Sequence, residues 1–169
     1  MNTRYTAFRY VAYGLELLLL FILQSTPHLF PELFGGKPLL LLPAALTIAF
    51  LEDNIPAMFF GLAGGVLLDL GYGDNIGFYA FLLTIICFAV SLIFRDYMVV
   101  SFLNATAFTA AITAVLVCVY FLFFFIFAGR ENSLLYFAQH YISRIILPIL
   151  CGMPLYLLNK FLYRNLRDT

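Results

Sequence analysis

The feature that most constrains this chain is a succession of apolar segments close to the length that crosses a bilayer as a helix. From Val99 to Ala128 no side chain carries a charge, and the same holds from Gly77 to Phe94. A transmembrane helix needs about 20 mainly apolar residues, with about 17 to 25 tolerated, and it satisfies its own backbone polar groups where no water can. On that rule spans are predicted near Phe8 to Ser25, Pro38 to Leu51, Pro56 to Leu70, Gly77 to Phe94, Val99 to Ala128 and Tyr141 to Leu162. The second and third are short. Glu52-Asp53-Asn54-Ile55-Pro56 separates them, and two carboxylates beside a helix-breaking proline predict a hairpin rather than one long helix.

A water-soluble alternative fails on composition. The 169 residues are 64% hydrophobic and 11% charged, against roughly 45 to 50% and about 25% in a soluble domain. Folded in water, such a chain would expose apolar patches that soluble monomers rarely carry. The predicted class is therefore an all-α integral membrane protein, a six-transmembrane-helix bundle forming one polytopic domain over residues 1–169. Arg4 and Arg9 precede the first apolar run, but Gln24 to Phe30 lacks a small-x-small cleavage pattern, so that run is expected to remain as a helix.

Lysine and arginine near span ends gather on the cytoplasmic side. Six spans place Arg4, Arg9, Arg95, Lys160, Arg164 and Arg167 there, with both termini, and leave Lys37, Arg130 and Arg144 toward the other face. Five spans would split the basic ends. Tyrosine favours the two interfaces, which fits Tyr5, Tyr10 and Tyr13 at the inner edge of span one, Tyr72 and Tyr79 at the outer turn, and Tyr97 at the inner turn. Tyr136, Tyr141, Tyr156 and Tyr163 fall at the ends of span six, and only Tyr120 falls in mid-span.

Nine basic and nine acidic residues balance, with no run of like charge, so neither nucleic acid nor an acidic substrate is indicated. Cys87, Cys118 and Cys151 are scattered through apolar runs without metal-ligand neighbours and read as small packing residues. No metal or cofactor site is expected.

The most informative stretch runs from Ala57 to Gly77. Ala57, Gly61, Gly65 and Asp69 recur every four residues and so share one helical face, a groove of small residues ending in a carboxylate. Small residues let helices approach closely where lipid removes most of the hydrophobic driving force. The groove can serve packing inside the bundle or a partner's helix. Asp69 precedes a glycine-rich turn that closes at Gly77, whose free amides it can cap; a substrate or proton site is the alternative. Glu16 is a second intramembrane carboxyl, expected to face the bundle or to reach toward the inner edge, with no partner near it in sequence. A proton or ion relay would need more such groups at similar depth.

In span five Ser101, Ala105, Thr109 and Thr113 share a spacing of four and form a packing face, whereas Phe121 to Phe127 is apolar all round and suits lipid. Pro148, Gly152 and Pro154 are expected to kink span six. No phosphate loop, paired-histidine motif or nucleophile with a nearby base is present, His28 and His140 being distant loop residues, and the chain is not expected to be an enzyme.

Leu23-Gln24 closing span one, Pro43 in span two, Gly61 to Leu70 in span three, Gly77-Phe78-Tyr79-Ala80 opening span four and Pro154-Leu155-Tyr156 near the end together resemble the bacterial rod shape-determining MreD family. The resemblance covers nearly the whole chain. It implies a noncatalytic subunit of the cell-elongation machinery in the bacterial cytoplasmic membrane. Such a subunit would couple MreB filaments to peptidoglycan synthesis through a single-span MreC partner. The implied fold is similar to the substrate-binding subunits of energy-coupling-factor vitamin transporters. Glu16 stands outside the shared pattern. That likeness of fold makes a small-molecule transporter subunit the alternative, with Tyr72, Asp74, Asn75 and Tyr79 as its outer pocket.

Overall fold

The computed structural model describes residues 3–26, 39–72, 77–97, 101–122 and 142–165. Six helices lie within them: α1 (Thr3–Ser25), α2 (Leu41–Leu51), α3 (Asn54–Tyr72), α4 (Phe78–Asp96), α5 (Phe102–Phe121) and α6 (Ile142–Asn165). The α2–α3 hairpin turns at Glu52 and Asp53. Pro43 and Pro56 sit in the first turns of α2 and α3, where a missing backbone N–H breaks no helical bond.

Four stretches are long and apolar enough to cross a membrane: Thr6–Ser25, Asn54–Gly71, Phe78–Asp96 and Phe102–Tyr120. The other two helices, α2 and α6, are also read in the sequence as spans, α2 as a short one. α2 has 11 residues and reaches only about 16 Å, roughly half of a 30 Å hydrocarbon core. α6 has the length, at 24 residues, and carries Asn159, Lys160, Arg164 and Asn165 in its final turns. The continuation of span five to Ala128 lies outside the described residues, as do Pro38, His28, His140, Lys37, Arg130, Arg167, Asp74, Asn75, Tyr136 and Tyr141.

α2 is apolar on every side, and such a helix belongs in an interior. Every residue from Leu41 to Phe50 is buried, and α2 touches each of the other described helices. The remaining helices surround it with their outward faces apolar. Phe8, Leu15 and Ile22 on α1, Phe59 and Leu70 on α3, and Phe81 on α4 are all at least 59% exposed, whereas Arg9, Glu52, Asp69, Thr113 and Asn159 are buried. Apolar outside and polar inside is the arrangement that lipid selects.

Several finer expectations are corrected. Tyr13, Tyr79 and Tyr156 lie buried on the inward faces of their helices, which the reading of tyrosine as an interfacial residue did not foresee, whereas Tyr97 is 86% exposed. Tyr120 on α5 stacks on Tyr79 with ring centroids 5.6 Å apart. Cys87 is buried, but Cys118 is exposed on the outer side of α5 and fills no packing gap. Ala105, Thr109 and Thr113 do turn inward, while Ser101 precedes the helix and is exposed.

Candidate helix-packing seam and buried polar sites

α3 and α4 make the most extensive helix contact, and glycine is what lets them close. A Cβ placed on Gly65 would fall 2.5 Å from Cα of Ala80 and 2.6 Å from the carbonyl oxygen of Tyr79. On Gly61 it would fall 2.8 Å from both Cβ of Cys87 and the carbonyl oxygen of Leu83. Those neighbours are mostly backbone and cannot swing aside. Gly64 faces α2, where its Cβ would meet Ala45 at 3.2 Å. Ala57 is fully buried on the same side of α3 as Gly61 and Gly65, so the small-residue face is turned to the bundle.

Where this seam reaches the end of α3, Asp69 accepts three backbone hydrogen bonds from the start of α4. Oδ2 accepts from the amides of Gly77 and Ala80, and Oδ1 from that of Tyr79, each at 3.0 Å. The opening amides of a helix have no intrahelical acceptor and carry partial positive charge, so one carboxylate answers both needs. Gly77 has φ 101°, a left-handed conformation that disfavours a side chain and turns the chain into α4. Tyr72 is the last residue of α3, and its side chain lies outside the description.

The opposite end is held by ion pairs. Nη2 of Arg9 donates to Oε2 of Glu52 at 2.9 Å, and Nε lies 2.6 Å from Oε1. The guanidinium also lies over the Tyr163 ring of α6, 4.9 Å from its centroid. On the far side of the turn the Ser91 hydroxyl donates to the Glu52 carbonyl oxygen at 2.8 Å, and Arg95 pairs with Asp53 at 3.2 Å. Burial lifts the Glu52 carboxyl above the usual carboxylate range, although the Arg9 charge pulls it down.

Between these ends, Glu16 meets residues that sequence spacing gave no reason to connect with it. Nδ2 of Asn159 donates to Oε1 of Glu16 at 3.2 Å and to Oγ1 of Thr47 at 2.9 Å, and the Thr47 hydroxyl donates to the Ala44 carbonyl at 2.8 Å. α1, α2 and α6 are thus linked in the bundle interior. Glu16 and Asp69 are not brought together. Gln24 supplies another unforeseen link, since its Oε1 accepts from the Leu40 amide at 3.0 Å and joins the end of α1 to the start of α2. Gly152 packs α6 against α2 and α5, 3.4 Å from Pro43 and Thr109 by the same Cβ test.

On the outside, α1 and α3 frame an open apolar groove of about 560 Å³ lined by Gly14, Leu18, Phe59, Leu62, Ala63 and Val66 among others. A Cβ on Gly14 would meet nothing within 4 Å. Among the described residues no three His, Cys, Asp or Glu side chains group closely enough to hold a metal ion.

Compared with known proteins, the family described as rod shape-determining protein MreD matches residues 6–166. No curated protein and no solved structure matches.

Proposed function

The chain belongs to the rod shape-determining protein MreD family, and from that premise we propose that it is a noncatalytic subunit of the cell-elongation machinery, linking MreB filaments to peptidoglycan synthesis through an MreC-like partner. The match over residues 6–166, nearly the whole chain, carries the reading. In this reading all 169 residues form one polytopic domain of the bacterial cytoplasmic membrane, both termini are cytoplasmic, and the bundle is arranged like the substrate-binding subunits of energy-coupling-factor transporters.

The geometry supports a scaffold in two ways. Asp69, Arg9 and Glu52 are engaged in bonds between helices or at helix ends. The small-residue face, the other surface open to a partner's helix by sequence, is filled by α4. The partner's single span is instead assigned to the α1–α3 groove, where Gly14 and Ala63 keep the floor low between Leu18, Phe59, Leu62 and Val66. A helix is about 10 to 12 Å across with its side chains, and close approach over small residues is how helices associate in lipid.

Co-purification from membranes tests this. Tagged protein should recover an MreC-like single-span protein, and Gly14→Leu with Ala63→Leu should lose it while remaining monodisperse in detergent. Recovery undiminished by both changes would remove the groove assignment. Thermal stabilisation by a vitamin, with no such partner recovered, would favour the transporter subunit instead.

A further inference from the structure

The contact between Glu16 and Asn159 leaves a specific remainder. Asn159 is fully buried, and both hydrogens of its amide nitrogen are used, one on Glu16 and one on Thr47. Its own Oδ1 has no hydrogen-bond partner, nor has the buried Oε2 of Glu16. Both orphans are acceptors when Glu16 is ionised, and buried polar atoms in native structures are nearly always paired. One hydrogen would change this. A carboxylic acid and a primary amide pair through two complementary bonds, N–H to the acid carbonyl and O–H to the amide carbonyl, and the first of these is already in place.

The charges around the site offer no other resolution. On α1, Arg9 is committed to Glu52, and Tyr13 is the titratable neighbour on the same face. Between Leu41 and Leu51 α2 has no ionisable side chain. α3 is flanked by Asp53, paired with Arg95, and carries Asp69, bound to the α4 amides. On α6 the Lys160 ammonium lies over the Tyr156 ring, 5.5 Å from its centroid, and Arg164 is exposed. Among the described residues the two ion pairs, Arg9–Glu52 and Arg95–Asp53, leave Glu16 without a cation. A bare carboxylate near the middle of the apolar stretch Thr6–Ser25 is the state that such surroundings disfavour most. A bound metal ion fits poorly as well, because hard cations take about six or more oxygens and only two are left without partners here.

We propose that Glu16 is an intramembrane proton-binding site, holding its proton on Oε2 as a hydrogen bond to Oδ1 of Asn159, so that a neutral acid–amide pair joins α1 to α6. The proposal does not depend on the identity of any partner protein.

Infrared spectroscopy of the purified chain in lipid nanodiscs at neutral pH reads the proton directly. The wild type should show a protonated-carboxyl carbonyl band that is lost in Glu16→Gln and shifted in Asn159→Leu. Gln carries an N–H where the acid has its O–H, so Glu16→Gln should fold and melt as the wild type does. Were Asn159→Leu to fail to fold, the band difference between wild type and Glu16→Gln would still decide. A spectrum unchanged by Glu16→Gln, a Glu16→Gln protein that does not fold, or a band abolished when sodium replaces potassium at constant pH and ionic strength would each overturn the proposal, the last by showing a cation site.

Discussion

Arg9 and Glu52, separated by 43 positions in sequence, form a buried ion pair that fastens the N-terminal part of α1 to the α2–α3 turn. Their side chains are only 10% and 3% exposed, and this determines how the pair responds to substitution. Taking two charges out of water opposes the gain from pairing them, yet removing one partner strands the other. Arg9→Met alone is therefore expected to cost about 3 to 5 kcal/mol, and Arg9→Met with Glu52→Leu to recover most of it. Denaturant unfolding in mixed micelles measures both. A double variant no more stable than the single one would show that Arg9 acts through its stacking on Tyr163 instead.

Glu52 also gives the protein a pH dependence with a definite sign. Burial raises its carboxyl in the folded state above the ordinary value of 4.5, so the folded chain binds that proton more tightly than the unfolded chain. The stability this contributes is full below the unfolded value and is lost as the pH rises through the folded one, with a slope of at most about 1.4 kcal/mol per pH unit. Unfolding followed across the mildly acidic range should show this decline in the wild type and a flatter profile in Glu52→Gln. An identical profile in the variant would assign the slope to another group.

Glycine substitutions should divide by location. Gly65→Ala places a methyl group against the α4 backbone, and overpacking of this kind costs about 1 to 3 kcal/mol; Gly61→Leu and Gly65→Leu should yield little folded protein. Gly14→Ala points into open space and gains about 0.5 to 1 kcal/mol of helix preference. Detergent-extract monodispersity and thermal melts compare them. Equal stability of Gly65→Ala and Gly14→Ala would contradict the close α3–α4 approach.

Asp69→Ala leaves the amides of Gly77, Tyr79 and Ala80 without their acceptor, and an unsatisfied buried donor costs about 1 to 3 kcal/mol. Asp69→Asn retains one oxygen and should fall between the wild type and the alanine variant. Hydrogen exchange at those three amides is the local readout, expected to accelerate in Asp69→Ala while the middle of α4 stays protected.

What the sequence disclosed and what it withheld follow the reach of the interactions. The hairpin at Glu52 to Pro56 was legible because its charges and proline are adjacent, and the face through Ala57, Gly61, Gly65 and Asp69 because helical spacing lines it up. The cap formed by Asp69 lies within 11 positions of all its donors. Asn159 is 143 positions from Glu16 and 112 from Thr47, and no periodicity relates residues so distant. The same limit concealed the Arg9–Glu52 pair, although both charges were conspicuous. The burial of Tyr13 was missed for a different reason: a preference for interfaces concerns depth in the membrane and does not tell which face of α1 turns inward.

The encasement of α2 bears on how the chain enters the membrane. At about 16 Å this helix is too short to be inserted as a stable span of its own, and lipid would leave both of its ends inside the hydrocarbon. It therefore cannot take part in the early stage in which independently stable helices enter the bilayer before associating. Its burial depends on its neighbours closing around it, and the Gln24–Leu40 and Asn159–Thr47 bonds are the polar contacts that tie its region of the chain to α1 and α6.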